Sequence, residues 1–234
     1  MRQIAVQTRD RTSTQTGSCA FAFPAAHALT SHDALTMLGS MSSERRAALI
    51  LAAIAVTEGV WVWASAHRKP MAFLRYEGFV GVNAGALGWV LALLVFIAFT
   101  MLAARRLLSV RQTLVSLSLL KALALAVAIA AGFCEETIFR KVVMDALIQH
   151  SVLVQIGASA LTFGLAHGIW GAFRGSVAAA IGATVATGLL GGALAVVFVA
   201  SHRVLAPAVT AHFLINVFAE PGLVLAAVRG EMGG

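Results

Sequence analysis

The sequence predicts an all-α, polytopic membrane protein, about six transmembrane helices enclosing an internal polar cavity, and three observations carry that prediction. Hydrophobic residues fill 59% of the 234 positions and charged residues only 12%, about half the roughly 25% charge of ordinary soluble domains. Basic residues fall at the ends of long apolar runs, as in Arg45-Arg46, Arg68-Lys69 and Arg105-Arg106, the pattern of juxtamembrane flanks. A few polar side chains lie inside the runs, where an ionisable group costs about 2.5 kcal/mol or more on insertion scales and so demands a reason.

The same features exclude other classes. A net charge of +7 from 17 basic and 10 acidic residues would gather into one basic patch beside aromatics in a nucleic-acid binder. Here it is dispersed between apolar runs, so no nucleic-acid partner is expected. The two cysteines, Cys19 and Cys134, have no CxxC spacing and indicate neither a disulfide framework nor a thiolate zinc site.

In chain order, residues 1–43 form a polar, Ser/Thr-rich tail expected to be disordered. A signal peptide is the weaker reading, because Pro24 interrupts its short apolar patch, although Ala26-His27-Ala28 resembles a cleavage site. Met41, directly before the first span, is an alternative start of translation. Residues 44–113 hold two spans. The first, residues 47–66, matches the ~20 residues that cross a bilayer, with Trp61 and Trp63 at the interface and Glu58 turned to the bundle interior toward a polar partner, lining the site being the alternative. The second, residues 79–104, is uncharged.

Residues 114–228 form a helical core of four more spans. The third starts near Leu114, lets Lys121 snorkel, and runs through Cys134 into Glu135-Glu136-Thr137-Ile138-Phe139-Arg140, either as a continuous helix or with a bend at Gly132. The fourth covers residues 151–170. The fifth, 177–201, carries Gly188 and Gly192 in a GxxxG that allows close packing. The sixth starts near Pro207 and ends at Glu220-Pro221-Gly222, leaving a short apolar stretch, 223–228, and a tail, 229–234. Six spans put both termini on one side, and the distribution of Arg and Lys makes that side cytoplasmic. The expected location is the plasma or inner membrane of the cell.

Helical spacing divides the charged motif. Glu136 and Arg140 are one turn apart and can pair, whereas Glu135 diverges by about 100° and is left free to act as a general base. The same spacing recurs in Phe163 with His167 and in His212 with Asn216. A single buried histidine is usually a hydrogen-bonded packing residue. Three spans that each supply polar side chains, costly toward lipid, instead point to one shared cavity. Cys134 reads as a small packing residue, Asp145 as an interfacial charge and Glu220 as a helix-end residue.

These three motifs, EExxxR, FxxxH and HxxxN in that order, resemble the CPBP family, the CAAX prenyl endopeptidases and bacteriocin-processing intramembrane proteases. The resemblance covers about residues 114–220. It implies an intramembrane endopeptidase in which Glu135 and His167 activate a water and His212 and Asn216 stabilise the oxyanion, with Glu136 and Arg140 supporting the direction of Glu135. The implied substrate is a membrane-associated or lipidated peptide or protein. No cofactor is expected. A zinc site of Glu135, His167 and His212 is the rival, although HExxH is absent and that ligand set leaves no equally obvious base. A proton-coupled transporter and a non-catalytic immunity or scaffold protein are the alternatives from other classes.

Overall fold

The structure is a computed structural model that describes residues 41–172 and 177–233. The expected disordered tail, apart from residues 41–43, and with it Cys19, lies outside the described residues, as do Arg174 and Gly175. The described chain is helical from end to end. Among the described residues, five helices are long and apolar enough to cross a membrane, six if a bent pair is counted as one span.

Helix α1, Ser43–Ala66, opens on Ser42, whose hydroxyl accepts the Arg45 N–H at 3.3 Å, and Glu44 sits against the positive end of the helix dipole. A short helix that hydropathy did not announce follows, α2, Pro70–Tyr76. The second span, α3, then begins at Gly85, not at Phe79, and ends at Arg106. Gly78 and Gly81 have φ of +82° and +77°, a left-handed backbone that the interior of a right-handed helix does not hold, and Gly85, at +70°, turns the chain into the first residue of α3. Asn83 closes this turn by accepting the Gly85 N–H at 2.9 Å.

Helix α4, Leu108–Thr113, was likewise unannounced, and it moves the start of the third span from Leu114 to Leu119, behind the N-cap Ser118. Helix α5, Leu119–Glu136, continues without a bend at Gly132 into a π-helical turn, Thr137–Val142, and then α6, Val143–Ala146. This 28-residue span is the axis of the molecule, since half of its most apolar stretch is buried inside the protein against 11% for α1.

Helices α7, Val152–Ala172, and α8, Val177–Ala200, form the closest helix pair. Gly164 and Gly168 on α7 lie against Thr184 on α8, and Gly188 and Gly192 lie against Ala160. The GxxxG thus works as the sequence suggested, by letting two backbones approach. His202 and Arg203, at φ of 55° and 64°, turn the chain into α9, Ala206–Phe218. The chain then bends by 50° into α10, Glu220–Arg229. The expected apolar end, residues 223–228, is therefore helical and belongs to the second half of a bent helix pair. Pro221 in its first turn has no N–H to leave unpaired, and Gly222 lets α10 lie directly on the Val110 backbone of α4.

Candidate active site

The third span carries both glutamates, and their neighbours set them apart. Glu136 and Arg140 are fully buried and pair through Oε2 and Nε at 3.0 Å. Glu136 Oε1 also accepts a 2.7 Å hydrogen bond from Nδ1 of His212 on α9. Glu136 is thus a bridge between Arg140 and His212. Arg140 reaches the Gly191 carbonyl at 3.4 Å and lies 4.5 Å above the ring of Phe163, so its charge is met by a carboxylate, a carbonyl and a π-face.

Phe163 organises the other wall. Its ring stacks on His167 at 4.4 Å, meets Phe139 edge-on at 5.1 Å and His212 at 5.8 Å, and its carbonyl accepts the His167 Nδ1–H at 2.9 Å. It can stand there because Gly191 on α8 has no side chain: a Cβ at that position would come within 2.9 Å of the Phe163 Cβ.

Glu135 is reached from both histidines. Its Oε2 lies 3.7 Å from Nε2 of His167 and 3.7 Å from Nε2 of His212, beyond direct hydrogen-bond range. That oxygen is buried and has no hydrogen-bond partner. Both imidazoles spend Nδ1–H on an acceptor behind them, so both Nε2 atoms face the same carboxylate oxygen. Asn216, one turn after His212 and only 4% exposed, makes no hydrogen bond through its carboxamide to another described residue, which leaves its N–H donors free. The structure therefore brings Glu135, His167, His212, Glu136 and Arg140 into one cluster, and it places Asn216 beside that cluster on the His212 helix.

Several polar residues took on partners that sequence reasoning did not assign. Glu58, expected to face a polar partner, has one carboxylate oxygen buried without a hydrogen-bond partner and interacts electrostatically with Glu135. Glu220 is a helix-end residue, as read, and it also lies close enough to Glu135 and His212 to feel their charges. Lys121 does not snorkel: its Nζ donates to the carbonyls of Leu114, Val217 and Phe218 at 3.1, 2.9 and 3.5 Å, capping the end of α9 at the bend. Glu77, beyond α2, is fully buried, with its Oε1 2.9 Å from Thr137 Oγ1. The available signal for Glu58 and Glu77 was an acidic residue in or beside an apolar segment with no basic residue one turn away. Cys134 is a buried free thiol, and Asp145 pairs with Arg203 at 2.6 Å away from the cluster. Among the described residues, no group of three or more His, Cys, Asp or Glu side chains is gathered as a metal site, and no step below is routed through a metal.

The family model described as "Type II CAAX prenyl endopeptidase Rce1-like" matches residues 117–218, just under half the chain and the segment that holds all three motifs. No curated protein and no solved structure matches.

Proposed function

We propose that this chain, which the model of Rce1-like type II CAAX prenyl endopeptidases matches over residues 117–218, belongs to that family and is an intramembrane peptidase whose base is Glu135. The observation that carries the reading is the convergence of two imidazole Nε2 atoms on one unpartnered, buried carboxylate oxygen. A separation of 3.7 Å is too long for a direct bond and leaves all three atoms turned to one point, where a water lying beside them, at the open side of the triangle, is reached by carboxylate and imidazole together. Glu135 takes the proton of that water, with His167 orienting it, and the oxygen attacks the peptide carbonyl. Negative charge then develops on the carbonyl oxygen. His212, as an imidazolium stabilised from behind by Glu136, donates to it from Nε2, and the free carboxamide N–H of Asn216 supplies a second donor. Glu135 returns its proton to the leaving amine. The substrate is a membrane-associated or lipidated peptide or protein, cleaved in the plasma or inner membrane, and the reaction needs no cofactor.

The test uses the full chain in liposomes with a fluorogenic peptide ending in a prenylated CAAX sequence and an unprenylated copy of it. Glu135→Gln should lower cleavage roughly 10²–10⁴-fold, the usual contribution of a general base, while membrane insertion is unchanged. Cleavage at the wild-type rate by Glu135→Gln would sink the mechanism. Comparing membrane-associated peptides from cells carrying the wild type or Glu135→Ala identifies the substrate without presupposing a prenyl group. Activity that survives exhaustive chelation supports a metal-free route, and stoichiometric zinc in the purified active protein would overturn it.

A further inference from the structure

Where α8 turns into α9, two successive residues that carry side chains, His202 and Arg203, sit at φ of 55° and 64°. Their N–H groups bond back to the carbonyls of Val199 and Phe198 at 3.1 and 2.9 Å, the pattern that ends a helix in the left-handed region, where glycine is the relaxed residue. Arg203 keeps that strained backbone and spends its side chain on three other segments. Its Nη1 donates to Gln155 Oε1 on α7 at 2.9 Å, its Nη2 donates to Asp145 Oδ1 on α6 at 2.6 Å, and the guanidinium lies 5.2 Å from the centre of the Phe198 ring on α8. Gln155, only 3% exposed, extends the network across the α6–α7 turn by donating from Nε2 to the His150 carbonyl at 3.0 Å.

These are the segments that carry the site. Asp145 lies ten residues after Glu135 on the same span, Gln155 lies twelve residues before His167 on α7, and Arg203 lies nine residues before His212 at the entry to α9. At 1.5 Å per helical residue these levers are about 14–18 Å long, so a tilt of a few degrees at the Arg203 end moves the side chains of the site by about an ångström. Stability alone gives little reason for the arrangement. The ion pair is partly exposed, at 29% and 46%, and such pairs add little, while the left-handed backbone works against it.

We propose that Arg203 is a positioning residue: its guanidinium fork ties α6, α7 and the start of α9 together and so sets how His167 and His212 approach Glu135. The proposal rests on the reading of those three side chains as the catalytic group. Arg203 touches no reacting atom and moves no proton. Its planar fork is what the role requires, because two Nη atoms meet two acceptors on different helices at once.

The experiment uses the full chain in lipid nanodiscs, well below its melting temperature, and compares the wild type with Arg203→Gly, Asp145→Ala and the double variant. Glycine removes the fork and relaxes the left-handed backbone, so Arg203→Gly should keep a Tm near that of the wild type. Cleavage of the prenylated peptide should nonetheless fall roughly 10–100-fold in kcat at unchanged KM, the scale of an ångström of misplacement. Asp145→Ala should lose kcat in the same way, and the double variant should lose no more than Arg203→Gly alone, since Asp145 acts through Arg203. Wild-type kcat in Arg203→Gly, whatever its Tm, overturns the proposal, and so do losses that multiply in the double variant. The second measurement is the proton resonance of the His212 Nδ1–H that binds Glu136, identified by its absence from His212→Gln. Arg203→Gly should shift it, because α9 has moved against α5, and an unshifted resonance overturns the proposal. That resonance does not depend on cleavage, so a chain without peptidase activity would defeat the peptidase reading and leave the role of Arg203 to be decided by the resonance.

Discussion

Four side chains show how much of the chemistry hangs on placement. Glu136 and Arg140 were legible as a pair from their spacing alone, but the sequence could not say that Glu136 keeps its second oxygen for His212, because that bond joins positions 76 apart. Arg140→Met should therefore do two kinds of damage. It leaves the fully buried Glu136 charge uncompensated, a loss of about 3–5 kcal/mol when one partner of a buried pair is removed, and it disturbs the carboxylate that holds His212. Thermal unfolding in detergent would show a large drop in Tm along with lost activity. Asn216→Ala should separate these effects. The carboxamide bonds to no described residue, so Tm should hardly move, whereas kcat should fall about 10²–10³-fold, as when one oxyanion donor is removed elsewhere. A large change in Tm with intact kcat would assign Asn216 to packing.

At the scale of elements, the long spans were legible because a bilayer demands about 20 apolar residues with charges at their ends. The short elements were not: α2 and α4 are each under two turns long, too brief for a hydropathy window to resolve. The π-helical turn at Thr137–Val142 has no compositional mark, although such turns are frequent at functional sites, and here it follows the two glutamates directly. The break between α9 and α10 was half legible. Pro221 and Gly222 announced an end to the helix, but only tertiary packing on α1 and α4 makes residues 220–229 helical again. A bend inside a membrane frees carbonyls that lipid cannot satisfy, and Lys121 supplies the donors. Lys121→Met keeps the stem and removes them. It should destabilise the protein by roughly 1–3 kcal/mol, the cost of leaving buried acceptors unpaired, and raise hydrogen exchange at residues 217–223. Exchange there at the wild-type rate would show that the bend is satisfied in another way. Gly191→Ala should act at the neighbouring contact, pushing Phe163 and with it His167, and so lower kcat as well as Tm.

The described helices present apolar side chains outward, such as Leu117, Val115 and Leu153, at 98%, 84% and 81% exposure, and bury Glu136 and Arg140 completely, so a membrane protein with an internal polar site could be read from composition and motif order. The connection between the segment after α1 and the third span could not, because Glu77 and Thr137 meet only through the fold. Glu77 is where the molecule should respond to pH. Burial pushes its carboxyl up from an ordinary 4.5 to about 7; the Thr137 hydroxyl and Lys141 oppose this rise and the Glu136 charge adds to it. A protonated Glu77 can donate to Thr137 Oγ1, whose own proton is then free for the Phe133 carbonyl at 2.8 Å. Because the native state holds this proton more tightly than the unfolded chain, it binds more protons at intermediate pH. Stability should therefore fall as pH rises from about 4.5 through about 7 and then level off, by an amount on the order of 2–3 kcal/mol. Glu77→Gln keeps a neutral donor at every pH and should flatten this part of the profile, holding its Tm above the wild type at about pH 8 and close to it at about pH 5. Parallel Tm profiles for the two proteins across that range would locate the pH response elsewhere, and a Glu77→Gln protein less stable at high pH would mean that the ionised carboxylate, not the acid, is the form the fold holds.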